Sequence, residues 1–134
     1  MNKDLINIAQ QSIAEIMNKN VITVSVDDSI SDVEKFITEH QLSFLPVMDI
    51  DNKCFGVVSD RDFVKFHHYK GNAKLEHIWE ICSHSVITVD IDTTINEAAQ
   101  LLIAHKVHHL IVFENNNVTG VVSSIDLLRY YVND

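Results

Sequence analysis

At 134 residues the chain has the length of one compact domain, and its nineteen acidic residues against ten basic ones give a net charge of −9. Such a field repels phosphate backbones and anionic lipid surfaces at long range, which argues against sequence-independent nucleic-acid binding and against docking on a membrane. An apolar fraction of 46%, with only three glycines and one proline, excludes a disordered chain. The start Met1-Asn2-Lys3-Asp4-Leu5 lacks the basic and long apolar regions of a signal peptide and no apolar run suits a membrane span, so a cytoplasmic location is expected.

In chain order, Leu5, Ile6, Ile8 and Ala9 predict a short helix lying over core, and Ser12 to Met17 predicts a second one. Val21 to Val26 is β-branched and apolar, which predicts a strand. After Asp27-Asp28-Ser29, the residues Ile30, Val33, Phe36, Ile37 and His40 recur at helical spacing, with Ser29 or Asp28 as the cap. Phe44 to Met48 reads as a second strand, residues 49–53 as a turn, and Cys54 to Ser59 as a third strand returning from it. Asp60 to Phe66 is then helical. The polar, glycine-bearing stretch 67–76 reads as a connector.

The same order then repeats. Ile13-Ala-Glu-Ile16, Val21-Ile-Thr-Val24, Asp27 and Ile30 return as Ile78-Trp-Glu-Ile81, Val86-Ile-Thr-Val89, Asp92 and Ile95, at a constant spacing of 65. His40, Leu45 and Val47 match His105, Leu110 and Val112; after the loss of one turn residue, Gly56-Val-Val-Ser59 matches Gly120-Val-Val-Ser123 and Asp62 matches Asp126. The expected fold is therefore α/β in the broad α+β sense: a single module, 1–134, of two βαββα repeats at about 12–66 and 77–131. A unit of roughly 50 residues buries too little surface to stand securely alone, so the copies are expected to share core.

In each copy a Gly-Val-Val strand runs into Ser-x-x-Asp at a helix start: Ser59 and Asp62 in the first, Ser123 and Asp126 in the second. A serine hydroxyl beside the unpaired N–H groups of a helix N-terminus suits a phosphate, and a carboxylate one turn on can accept hydrogen bonds from both ribose hydroxyls. The same spacing also describes a capping box, in which the two side chains satisfy each other's backbone donors. Both readings stand at this level. With so acidic a chain a phosphate needs local compensation, and the candidates are Arg61 in the first copy and His108 and His109 in the second, where strand alternation lets at most one histidine face a given cleft. Gly56 and Gly120 suit either the close approach of a ligand or neighbouring backbone, or a bulge.

Other chemistries find less support. Cys54 and Cys82 occupy unrelated places in the copies and read as reduced hydrophobes. Eight histidines include His105, His108, His109 and the pair His67-His68, but no His-Glu-x-x-His or clustered Cys/His spacing, and no Gly-x-Ser-x-Gly elbow is present. No enzyme activity is expected.

The Gly-Val-Val-Ser-x-x-Asp elements, the upstream Val-Ile-Thr-Val strands and Leu45-Pro46-Val47, in this order and duplicated, resemble the CBS domain over nearly the whole chain. The resemblance implies a tandem pair with its sheets packed about a pseudo-twofold axis, clefts between the repeats for AMP, ADP, ATP or S-adenosylmethionine, with magnesium possible beside ATP, and a homodimer formed through helices. It implies that Ser59 and Ser123 contact phosphate, that Asp62 and Asp126 contact ribose, and that Thr23 and Thr88 lie near ligand. A regulatory, non-catalytic module acting on an unknown effector protein is the expected function; the alternative is a ligand-free dimerisation or protein-interaction module. The copies differ at Arg61 against Ile125 and Pro46 against Ile111, so the two sites need not bind alike.

Overall fold

The computed structural model describes residues 11–133; the helix expected over Leu5 to Ala9 lies outside them. Each copy forms a three-stranded sheet in sequence order. In the first, β1 (Val24–Ser25) pairs parallel with β2 (Phe44–Met48), which pairs antiparallel with β3 (Cys54–Ser59). Helix α1 (Ile30–Glu39) makes the crossover and α2 (Asp60–His68) follows β3. In the second, β4 (Thr88–Asp90), α3 (Ile95–His105), β5 (His109–Glu114), β6 (Asn117–Ser123) and α4 (Ser124–Val132) repeat the order and the pairing.

Local chemistry sets these bounds. Ser29 caps α1 by accepting from the Asp32 N–H at 3.1 Å, while Asp28 turns back to accept from the Ser25 N–H at 2.9 Å. At α3 Thr94 and Glu97 form a full capping box. Both hairpins carry a register shift one step from a glycine: Val47 faces Gly56 and Met48 faces Cys54, and Val112 faces Gly120 and Phe113 faces Val118. The first strand is shorter than its β-branched residues suggest, since only Val24 and Ser25 find ladder partners. The expected helix at Ser12 to Met17 is a 3-10 turn, Ile13–Glu15, with its counterpart at Ile78–Glu80.

The compact units do not coincide with the sequence copies. Among the described residues, one unit comprises residues 22–86 and the other residues 11–21 with 87–133. The lead-in of each copy is thus built into the other copy's unit. In unit 22–86 the second copy's lead-in hydrogen-bonds repeatedly to the first copy. The Ile30 N–H donates to the Glu76 carbonyl at 3.0 Å and the Ile78 N–H to the Asp28 carbonyl at 2.9 Å, beside the N-cap of α1. Beyond the turn, Ser83 and Val57 exchange both backbone bonds at 2.8 and 2.9 Å, which extends the sheet past β3. In the other unit the first copy's lead-in does the same: Ile13 and Ile95 bond to Thr93 and Gln11, and Asn18 and Val121 exchange bonds at 2.9 and 3.1 Å.

Each unit has its own apolar core, and each core takes in one isoleucine from the exchanged lead-in. Ile78 is fully buried with Ile30, Val33, Leu45, Val47, Val58 and Phe63. Ile13 is fully buried with Ile95, Ala98, Leu110, Val112, Val122 and Leu127. The copies therefore share core in a definite sense: neither sequence repeat closes its hydrophobic layer without a segment from the other.

Candidate ligand-binding site

The two Ser-x-x-Asp elements sit at the starts of α2 and α4, next to the exchanged lead-ins. In unit 22–86 Asp62 accepts from the Ser59 backbone N–H at 2.8 Å and from the Ser59 hydroxyl at 3.2 Å, both on Oδ2. At the other site Asp126 accepts from the Ser123 N–H at 2.9 Å, and the Asp126 N–H donates to the Ser123 hydroxyl oxygen at 3.2 Å. The capping box expected from spacing is thus present in both copies, with the Ser123 hydroxyl accepting from the Asp126 N–H and the Ser59 hydroxyl also donating to the Asp62 carboxylate. It leaves Oδ1 of each aspartate outside the cap; that of Asp126 lies 4.0 Å from Arg129 Nη1. Each aspartate is partly exposed.

Gly56 carries the lead-in across its own α-carbon. A Cβ there would stand 2.4 Å from the Ser83 carbonyl oxygen and 3.2 Å from Cys82 Sγ. Neither Gly56 nor Gly120 has a positive φ, so close approach rather than turn geometry accounts for them. At Gly120 the neighbour is the Met17 side chain, whose sulfur would stand 2.4 Å from a Cβ. Cys54 and Cys82, far apart in sequence, both border Gly56: Cys54 donates to its carbonyl at 3.4 Å. Burial above all raises both thiols; the Asp49 carboxylate adds to this at Cys54 and the Asp62 carboxylate at Cys82. Thiols so raised stay protonated at neutral pH and are poor nucleophiles.

A cavity of 510 Å³ opens beside Asp62. Asp62, Lys65 and Phe66 line it from one face of α2, Tyr69 from just past the end of that helix, and Glu76 and Glu80 from the second copy's lead-in. No spacing rule in one copy could have found those last two, because they belong to the other copy's sequence. Thr23 is exposed and lines a separate hollow of 280 Å³ with Val24, Asp32 and Phe36, away from the aspartate of its unit. Thr88 is an exposed residue of β4 paired with Ile111. Arg61 is exposed on the first turn of α2. His108 is exposed just before β5, whereas His109 opens β5 directly across from Ser123. Phe44 holds the same position across from Ser59. Among the described residues no three His, Cys, Asp or Glu side chains gather as metal ligands, and no helix is long and apolar enough to cross a membrane.

Two capped Ser-Asp helix starts, each served by the lead-in of the opposite repeat, define a tandem regulatory module. The sequence profile of the CBS domain matches residues 13–69 and 78–133, and the chain belongs to that family, whose paired domains are regulatory rather than catalytic. It is 28% identical over 116 residues to an inosine-5′-monophosphate dehydrogenase of Methanocaldococcus jannaschii, covering 86% of this chain and 22% of that protein. It is 26% identical over 121 residues to hypoxic response protein 1 of Mycobacterium tuberculosis, covering 87% of this chain and 82% of that one. The chain thus spans under a quarter of the dehydrogenase but most of the smaller relative.

The fold is shared with the CBS domain pair of protein MJ0100, solved with 5′-methylthioadenosine and S-adenosyl-L-methionine, at a TM-score of 0.79 and 24% identity, covering 90% of this chain and 95% of that one. It is also shared with CBSX2, solved with AMP, at a TM-score of 0.78 and 22% identity, covering 91% and 96%.

Proposed function

We propose that the module binds an adenine nucleotide or related adenosyl ligand at the joints between the sequence copies and passes its occupancy to a separate partner protein in the cytoplasm. The observation that carries this reading is the recurrence, in both units, of one arrangement: a Ser-Asp helix start whose aspartate keeps Oδ1 outside the cap, set against a lead-in from the other copy. Asp62 and Asp126 are assigned to the ribose hydroxyls, and Ser59 and Ser123 to the 5′ end of the ligand. Thr88, His109 and Arg61 are assigned to the surroundings of those sites, with Thr23 and His108 at their margins. The fold shared with pairs solved with AMP and with adenosyl ligands supports the ligand class.

Because the ligand bridges segments from both copies, its binding stabilises the joint. A regulatory effect on the partner can be no larger than the ligand's preference for one arrangement of the module. The test is a thermal-unfolding panel with AMP, ADP, ATP, NAD and S-adenosylmethionine, with and without magnesium. A ligand at a hundredfold excess over its Kd should stabilise by about 2.7 kcal/mol, or roughly 10 °C for a domain of this size. With a ligand that occupies both sites, the Asp62→Ala and Asp126→Ala variants should each lose part of that shift, and the double variant all of it. An unmoved melting temperature with every ligand would leave only the ligand-free interaction module.

Self-association belongs to the same proposal. Ile125, Leu128 and Val132 of α4 are 49%, 53% and 68% exposed and recur at helical spacing, an apolar stripe with no cover within the chain's described residues. A second copy is assigned to it. Sedimentation of the wild type as a dimer, and of Leu128→Glu as a monomer, is the expected result; a wild-type monomer at tens of micromolar would remove the assignment.

A further inference from the structure

The two sites differ most at the position that would meet the 5′ end of a ligand. We infer that the site at Asp62 takes an adenosyl ligand without phosphate, uncharged or cationic at its 5′ end, and that phosphate-bearing ligands are left to the site at Asp126. The inference rests on the function proposed above.

Three observations converge on it. The first residue of α2 is Asp60, and its Oδ1 accepts from the Arg61 N–H at 2.8 Å. That N–H is one of the few donors a phosphate could use at a helix start, and it is already taken by a carboxylate that also repels an anion. The Arg61 side chain is exposed on the same turn. At α4 the corresponding residue is Ser124, which brings a hydroxyl and no charge beside the Ile125 N–H.

Secondly, the residue across the sheet from each motif serine differs. Cross-strand partners present their side chains on the same face. Phe44, apolar, stands across from Ser59, whereas His109, which can donate to an anion, stands across from Ser123.

Thirdly, the lead-ins differ in charge. Glu76 and Glu80 line the cavity beside Asp62, with Lys65 as the cation on its wall. The equivalent lead-in positions for the other site, 65 residues earlier, are Gln11 and Glu15, and Lys19 stands where this lead-in has His84. A cavity walled by three carboxylates and two aromatic rings against one ammonium disfavours phosphate and suits a neutral thioether or a sulfonium.

The test isolates one site with Asp126→Ala and titrates 5′-methylthioadenosine and AMP by calorimetry. The thioether ligand should bind at least about tenfold tighter than AMP. Adding Asp60→Ser should tighten AMP about tenfold and leave methylthioadenosine within twofold. Asp60→Asn keeps an acceptor for the Arg61 N–H while removing the charge, so tightening with both variants assigns the effect to charge and with serine alone to the occupied N–H; either supports the inference. AMP binding as tight as methylthioadenosine in the Asp126→Ala protein, or a ligand ratio unmoved by both substitutions, would overturn it. Loss of all binding in Asp126→Ala, with AMP still bound by wild type, would also overturn it while leaving the proposed function standing. Absence of binding in the wild type would remove both.

Discussion

Gly56 and Gly120 occupy the same place in the repeat, yet the structure gives them different reasons to lack a side chain. At Gly56 the obstacle is the Ser83 backbone carbonyl, which cannot move without breaking the two hydrogen bonds that hold the lead-in to Val57. At Gly120 the nearest atom is the sulfur of Met17, the far end of an unbranched side chain that can change rotamer. Gly56→Ala should therefore destabilise by about 1–3 kcal/mol, and Gly120→Ala by less than about 1 kcal/mol, in urea unfolding. Equal costs would show that the lead-in does not press on Gly56 as described. The sequence alone allowed a ligand, a backbone or a bulge at these glycines, and the structure contains two of the three: a register shift beside each and a lead-in over each. Sequence could not decide among them because the approaching atoms come from residues 26 or more positions away for Gly56 and about a hundred away for Gly120.

The helix starts of α2 and α4 share a pattern and differ in bonding. Ser123 both receives from the Asp126 N–H and returns its own N–H to the carboxylate, so Ser123→Ala removes a true cap and should cost about 1 kcal/mol. The Ser59 hydroxyl instead donates to Asp62, and Asp60 already occupies the next N–H, so Ser59→Ala should cost only a few tenths of that. Chemical denaturation of the two variants checks the difference, and an equal loss would mean that Ser59 caps α2 as Ser123 caps α4. At this scale the sequence was largely readable. The βαββα order, a cap at Ser29 or Asp28 and both hairpins follow from periodicity and turn residues, because each is decided by neighbours within a few positions; the structure chooses Ser29. The first strand was overread: Val21 to Val26 are good strand formers, but a ladder needs a partner, and β2 offers one to only two of them.

For the whole molecule, the repeat was legible and the exchange of lead-ins was not. A periodicity of 65 shows that two equivalent segments exist, but it places the cut between them only by convention. The physical cut falls near residues 21 and 86, so that the lead-ins at Ile13 and Ile78 serve the unit built by the other copy. This explains why a repeat of such modest size occurs as a pair: each copy lacks one buried isoleucine and one extending strand segment without the other. The same arrangement brings carboxylates from one copy to the cavity of the other, as Glu76 and Glu80 do beside Asp62, which no motif search within one repeat reveals.

The central claim is that the two aspartates receive the ribose of an adenosyl ligand, and deleting one hydroxyl from the ligand tests it most directly. Calorimetric titration of AMP, 2′-deoxy-AMP and 3′-deoxy-AMP into the wild-type protein should show affinity falling by about tenfold or more with each missing hydroxyl, since a hydrogen bond to a carboxylate contributes about 1.5–3 kcal/mol. The penalty should vanish in the Asp126→Asn protein, where AMP itself already binds weakly. Deoxy ligands that bind the wild type as tightly as AMP would contradict the claim, and would return Asp126 to the single role of capping its helix.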